Sequence, residues 1–227
     1  MTVKAVFFDL FETLITEFEQ GKRVSNRNYD YSTLLGISNA DFKKEWSLRQ
    51  EKRMNGHFVS YGEVLRDIAL ARNLEINEDS IQYLYQARKE EKKLPFHAIQ
   101  SEIIELLTEL RSHPLKLGLI SNCTEEEVTY WPDSPISAFF DDVVFSFDAK
   151  CSKPDARIYE IACERLHVKP EECVFVGDGG SNELEGASRA GMRVYHAFWF
   201  NTYVQSDYRK LRSPKDLVNE LWQARGR

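Results

Sequence analysis

Asp9 closes a short apolar run, Val6-Phe7-Phe8-Asp9-Leu10-Phe11-Glu12-Thr13-Leu14. A carboxylate at the end of a buried strand has the placement of a nucleophile, because open α/β sheets bind their ligands in the crevice beyond the carboxyl ends of their strands. Three further polar positions follow later apolar runs: Ser121 after Leu117-Gly118-Leu119-Ile120, Lys153 in Cys151-Ser152-Lys153-Pro154-Asp155, and Asp178 after Val174-Phe175-Val176-Gly177. The Ser121 hydroxyl and Asn122 amide can hold a phosphate oxygen together with backbone N–H groups at the next helix start. Taken alone, Ser121 reads as a helix cap. The Lys153 ammonium can reach back toward the nucleophile, although a lone lysine is ordinarily solvated. Asp178 and Glu183 flank a glycine-rich turn that leaves room for a hard, oxygen-ligated cation such as Mg2+ with its waters. Alone, that segment is a Gly-Gly turn with Asp178 as a local cap. Two carboxylates, Asp9 and Asp178, at one site raise a pKa and weaken the nucleophile, and a bound cation removes that conflict.

These positions need strands to carry them. Five mostly apolar runs, Val3–Phe8, Leu115–Ile120, Asp142–Ser146, Cys173–Gly177 and Met192–Ala197, predict buried parallel strands. Helical patterns lie between the later runs, over Ile99–Ser112 and Asp155–Leu166, with Pro154 placed to open the second. The alternation predicts an α/β fold with a doubly wound, Rossmann-like parallel sheet. Residues 16–94 break the rhythm: they hold no convincing strand, and Ala40–Arg53, Tyr61–Arg72 and Asp79–Lys93 read as charged amphipathic helices. The expected organisation is an α/β core of residues 1–15 and 95–227, with residues 16–94 inserted as a helical cap over the crevice. A last helix is expected over Lys215–Ala224.

With 227 residues, 42% of them hydrophobic, the chain can fill a sizeable interior. The net charge of -6 argues against a nucleic-acid partner, and the basic stretch Lys43–Arg53 also contains Glu45 and Glu51, as a solvated helix face would. Cys123, Cys151, Cys163 and Cys173 follow no metal or disulfide spacing, so reduced thiols in a cytoplasmic protein are expected, with Cys123 a small buried thiol. No stretch has the length of a membrane span. The partner implied is a small-molecule substrate, with neither nucleic acid nor membrane, and the number of chains per assembly stays open.

Four polar sites in chain order, each at the end of a successive strand, are hard to explain as independent caps. As a set they resemble the haloacid dehalogenase-like hydrolases over nearly the whole chain. Asp9 to Leu14 is similar to the first motif, Ser121 to the second, Lys153-Pro154-Asp155 with Ile158-Tyr159 to the third, and Gly177-Asp178 with Glu183 to the fourth. The helical insert resembles the family's small C1-type cap. The resemblance implies that Asp9 attacks the substrate through an ionised carboxylate to form a covalent aspartyl intermediate. It also implies Mg2+ held by the Asp9 side chain, the Phe11 backbone carbonyl and Asp178, with Ser121 and Lys153 holding the transferring phosphoryl group. Thr13 belongs to the first motif and supports the same site. Glu183 stands where the family more often has aspartate; its extra methylene sets it behind the metal, orienting a water or Lys153.

Phe11 departs from the phosphatase pattern, which has an acid two residues after the nucleophile. Losing a general acid typically costs about 10²–10⁴ in rate, most for poor leaving groups. Glu12 can be asked to stand in, although it reads as an exposed loop acid. An aromatic residue at this place resembles the family's 2-haloacid dehalogenases, whereas Asp178 departs from that branch, and Arg49 is only a faint match to its carboxylate-holding arginine. A third reading is a binding or regulatory module that kept the fold and lost efficient turnover. Trp46, Tyr83, Tyr85, Trp131 and Trp199 would line its ligand pocket or meet its partner, if they are not core residues.

Overall fold

The computed structural model describes residues 2–25 and 29–223. In chain order its elements are β1 (Ala5–Phe8), β2 (Phe18–Glu19), β3 (Lys22–Arg23), α1 (Tyr31–Leu35), α2 (Asn39–Leu48), α3 (Gln50–Met54), α4 (Tyr61–Arg72), α5 (Glu78–His97), α6 (Ser101–Arg111), β4 (Lys116–Ser121), β5 (Asp142–Phe145), α7 (Ser146–Ala149), α8 (Ala156–Leu166), β6 (Cys173–Gly177), α9 (Glu183–Arg189), β7 (Arg193–Ala197), β8 (Arg209–Leu211) and α10 (Pro214–Gln223). Six strands form one sheet in the order β5-β4-β1-β6-β7-β8, and every neighbouring pair is parallel.

The period-two alternation of β1 explains the layers. Val6 and Phe8 face one side of the sheet and pack with Ile103, Leu106, Leu107 and Leu110 of α6 and Leu217 and Leu221 of α10. Ala5 and Phe7 face the other, against Ile158, Tyr159 and Ala162 of α8 and Leu184 and Ala187 of α9. Side chains on alternating faces bury both sides of the strand, so the run reads as continuously apolar. Gly118 of β4 lets the Phe7 ring lie close, since a Cβ there would sit 2.4 Å from it.

The five predicted strands are present within two residues of their expected ends, and two features depart from expectation. The segment 16–94 does hold strand: β2 and β3 pair antiparallel around Gln20-Gly21, whose φ values of 49° and 76° are both positive, as a two-residue hairpin loop requires. Strand β8 was also unforeseen; it is a charged three-residue edge of which Leu211 alone is buried. Strands this short carry no readable periodicity.

The helix predicted over Ala40–Arg53 is broken at Arg49 (φ -99°, ψ 8°) into α2 and α3, where the guanidinium is drawn between Glu45 and Asp67. The helix expected to stop at Lys93 runs on to His97 with Pro95 inside it. Asp155, rather than Pro154, caps α8. The last helix begins at Pro214, one residue before its predicted start, and Ala224, its predicted end, lies outside the described residues. Helices α1, α2, α4 and α5 share an apolar cluster of their own that includes Leu35, Phe42, Leu65, Ile68 and Leu84, so this insert has an interior separate from the two layers on the sheet. None of the described helices is long and apolar enough to cross a membrane.

Substituting Gly118 with valine should overpack the contact between β1 and β4. The urea midpoint should fall by the equivalent of about 1–3 kcal/mol, and an unchanged midpoint would contradict the packing described.

Candidate active site

The three central strands β4, β1 and β6 end side by side in Ser121, Asp9 and Asp178. The Asp9 backbone N–H still donates to Val176 O at 2.9 Å, which fixes the carboxylate at the sheet's edge. Its Oδ1 accepts a hydrogen bond from the Lys153 ammonium, and its Oδ2 accepts one from Thr13 Oγ1 at 3.3 Å. Trp199 Nε1 donates to Thr13 O at 2.8 Å and steadies that turn.

Lys153 is 3% exposed, unlike a solvated lysine. Its backbone is clamped by the Asn122 amide, which accepts from Lys153 N at 2.8 Å and donates to Lys153 O at 2.9 Å. The ammonium also donates to Glu183 Oε2 at 2.5 Å. Ser121 is not a helix cap: its hydroxyl is buried at the end of β4 with no hydrogen-bond partner among the described residues, and the following 3-10 turn is capped by Thr124. Cys123 is fully buried, as expected.

Asp178 accepts from Gly180 N at 2.8 Å and from Asn201 Nδ2 at 2.7 Å. Glu183 accepts from Gly179 N at 3.1 Å, and Tyr159 OH donates to Glu183 O at 2.7 Å. Asp9, Asp178 and Glu183, all buried, each offer an oxygen within 4.8 Å of the others. Three carboxylates thus lie together, two of them paired with one ammonium. Burial pushes the Asp9 carboxyl upward, Lys153 pulls it back and Asp178 adds to the rise, so the ionised nucleophile expected from the sequence depends on positive charge beside it. Burial and then Asp9 raise Glu183, against the pull of Lys153. For Lys153 burial acts downward, but Asp9 and Glu183 outweigh it and keep the ammonium protonated. Hard oxygen donors in this excess fit a divalent cation such as Mg2+.

Phe11 turns away from these groups toward the insert, edge-on to Phe96 with ring centroids 6.5 Å apart and beneath the Lys92 ammonium, 4.8 Å from the ring centroid. Glu12 is half-buried rather than an exposed loop acid. Its oxygens accept from Thr16 Oγ1 at 2.6 Å and Glu17 N at 2.8 Å, and burial raises its carboxyl. The stretch Lys43–Arg53 is not a solvated face throughout: Glu45, Arg49 and Arg53 are buried. Arg49 is committed to Glu45 at 2.6 Å and Asp67 at 2.5 Å. Trp131 is core, Tyr85 OH donates to Glu125 at 3.0 Å, and Tyr83 is exposed. Trp46 stacks beside Phe42 under the Arg53 guanidinium, which lies 3.9 Å from its ring centroid.

A buried ionic seam between α5 and the turn after β4 escaped the sequence reading. Lys92 pairs with Glu17 and Glu127 at 2.9 Å each, and Arg88 pairs with Glu127 at 2.7 Å. The acidic run Glu125-Glu126-Glu127 and the i, i+4 cations Arg88 and Lys92 were its signal. Asn201 had none, since it lies in an irregular loop after β7.

Residues 3–191 match the model of the haloacid dehalogenase-like hydrolases. A glyceraldehyde 3-phosphate phosphatase of Methanopyrus kandleri is 28% identical over 84% of this chain and 82% of its own length. An (S)-2-haloacid dehalogenase 4A of Burkholderia cepacia is 29% identical over 52% of this chain and 51% of its own. The crystal structure of a HAD phosphatase from Thermococcus onnurineus shares the fold, with a TM-score of 0.68 at 23% identity over 97% of this chain and 98% of that one.

Burial acts to raise the Glu127 carboxyl, but Lys92 and Arg88 outweigh it and hold the group well below the usual carboxylate range. A folded value below the unfolded one gives stability that is complete above the ordinary 4.5 and is lost as pH falls beneath it. Glu127→Gln should therefore cost about 1–3 kcal/mol in urea unfolding at neutral pH by removing one counter-charge from each of two buried cations, Lys92 keeping Glu17 and Arg88 keeping Glu91. The difference from the unmodified protein should shrink in acid; a gap that stays constant with pH would contradict the pairing.

Proposed function

The chain belongs to the haloacid dehalogenase-like hydrolases, and from that membership we propose that it is a Mg2+-dependent phosphate monoester hydrolase acting on a small phosphorylated metabolite through an aspartyl-phosphate on Asp9. One observation carries the reading: Asp9, Asp178 and Glu183 converge within 4.8 Å of one another, with a single ammonium shared between Asp9 and Glu183. A divalent cation balances that excess of negative charge and lets an anionic phosphoryl group approach Asp9. A metal-free site would instead present two further carboxylates to an anionic haloacid. The phosphatase name of the Methanopyrus relative agrees with the choice.

In this reading the Asp9 side chain, the Phe11 carbonyl and Asp178 hold Mg2+, which neutralises charge on the phosphoryl oxygens when bound. Asp9 Oδ attacks phosphorus and the substrate's ester oxygen leaves. Water then attacks phosphorus and returns the carboxylate. Ser121, whose hydroxyl has no other partner among the described residues, donates to a phosphoryl oxygen, and Lys153 neutralises another. Such transfer is mostly positioning and charge compensation. Thr13 orients Asp9, Asn122 fixes the Lys153 backbone, and Glu183 aims the Lys153 ammonium from behind. Residues 16–94 serve as the lid on the core of residues 1–15 and 95–227. The four free cysteines suit the reducing cytoplasm in which we place the protein.

Phe11 can neither protonate the leaving oxygen nor activate the water. Alkyl phosphates should therefore react slowly and acyl or aryl phosphates less so. Phe11 and the Burkholderia relative favour a second reading, haloacid hydrolysis without metal. The test is a panel of acetyl phosphate, an aryl phosphate, an alkyl phosphate and 2-chloropropionate, each with and without Mg2+. Phosphate release that requires Mg2+ and vanishes in Asp9→Asn is expected. Metal-independent halide release would replace the reading with the second, and ligand binding without turnover would leave only a binding module. Phe11→Asp should raise the alkyl rate by about 10²-fold or more relative to acetyl phosphate; equal alkyl and aryl rates in the unmodified protein would remove the role given to Phe11.

A further inference from the structure

A cleft of about 640 Å³ opens between α2–α3 of the insert and the loops that carry the proposed phosphoryl site. Its volume is that of a small-metabolite pocket. Lys153 and Asn122 reach its wall, so it communicates with the group that holds Asp9. Its chemistry is narrow. From the insert it receives the exposed Ser47, Gln50 and Glu51 and the half-buried Asn55; from the core it receives Ser181 and Asn182. Hydroxyls and amides thus face one another across it, beside the apolar Leu48 and Met54 and the Asp155 carboxylate. No aromatic side chain lines it, so a nucleobase would find nothing to stack on.

Of the cations on the wall, Lys153 is matched by carboxylates, while Lys150 is held by a neutral carbonyl that leaves its charge in place. The Lys150 ammonium donates to Gly56 O at 2.8 Å, and that of Lys153 is shared between Asp9 and Glu183. The Glu51 carboxylate has no partner of opposite charge among the described ion pairs. A second anionic group on the leaving alcohol would therefore meet two carboxylates, Glu51 and Asp155, against the single charge of Lys150, whereas a hydroxyl would find both donors and acceptors. Ser181 and Asn182 both have φ of 53°, a conformation that costs a non-glycine residue energy and that holds both side chains at the wall of this cleft.

Resting on the phosphatase reading, we infer that the substrate is the monophosphate ester of a small, uncharged polyol, whose hydroxyls are taken by Gln50, Asn55 and Ser181, and that Glu51 is the residue that rejects esters bearing a carboxylate or second phosphate. The test compares kcat/KM for glycerol phosphate and for phosphoglycerate, both alkyl esters that share the Phe11 handicap, in the unmodified protein and in Glu51→Gln and Glu51→Lys, with acetyl phosphate as the small reference substrate for the unmodified protein. The unmodified protein should favour the polyol ester by about tenfold, and the preference should fall about fivefold in Glu51→Gln and further in Glu51→Lys. Acetyl phosphate turnover without that preference, or a preference that neither variant changes, overturns the inference while the phosphatase reading stands. Failure to release phosphate from any of the three overturns both.

Discussion

The ammonium of Lys153, shared between Asp9 and Glu183 inside the protein, is the interaction on which the site depends. A lysine is kept charged at such depth only by anions that outweigh its desolvation, and here burial is overcome by Asp9 and Glu183. The reverse also holds. Asp9 sits where burial and Asp178 both work against ionisation, so one ammonium, paired with Asp9 and Glu183, stands among three carboxylates and leaves an excess of negative charge. That deficit of positive charge makes a divalent ion a fitting occupant.

The sheet supplies the precision. Parallel pairing of β4, β1 and β6 brings three chain-distant strand ends into register, and the Asn122 amide ties the Lys153 loop to the end of β4. The insert, in turn, is bound to the turn after β4 by the seam of Arg88 and Lys92 with Glu127. Motion of the proposed lid would therefore strain the chain beside Ser121.

Much of this was legible in the sequence, because buried parallel strands read as unbroken apolar runs and Asp9, Ser121 and Asp178 stand just where those runs end. The pairing of Lys153 with Asp9 was legible as a possibility, since a lysine in a turn after the third strand can reach the first. What stayed hidden was of two kinds. Strands β2, β3 and β8 are too short to show a period. The seam, the Arg49 bridge between Glu45 and Asp67 and the bond from Asn201 to Asp178 join residues whose charge and polarity suggest solvent, and only tertiary contact reveals them as buried or half-buried pairs. Phe11 was noticed for the acid it replaces, while its packing beneath Lys92 and against Phe96 required the folded chain.

The central claim is that the convergent carboxylates hold one divalent ion, and calorimetric titration of the metal-free protein with Mg2+ at neutral pH tests it most directly. One ion per chain should bind, and Asp178→Asn should weaken the uptake severely while the fold persists by circular dichroism. No uptake by the unmodified protein, or undiminished uptake by the variant, would contradict the account.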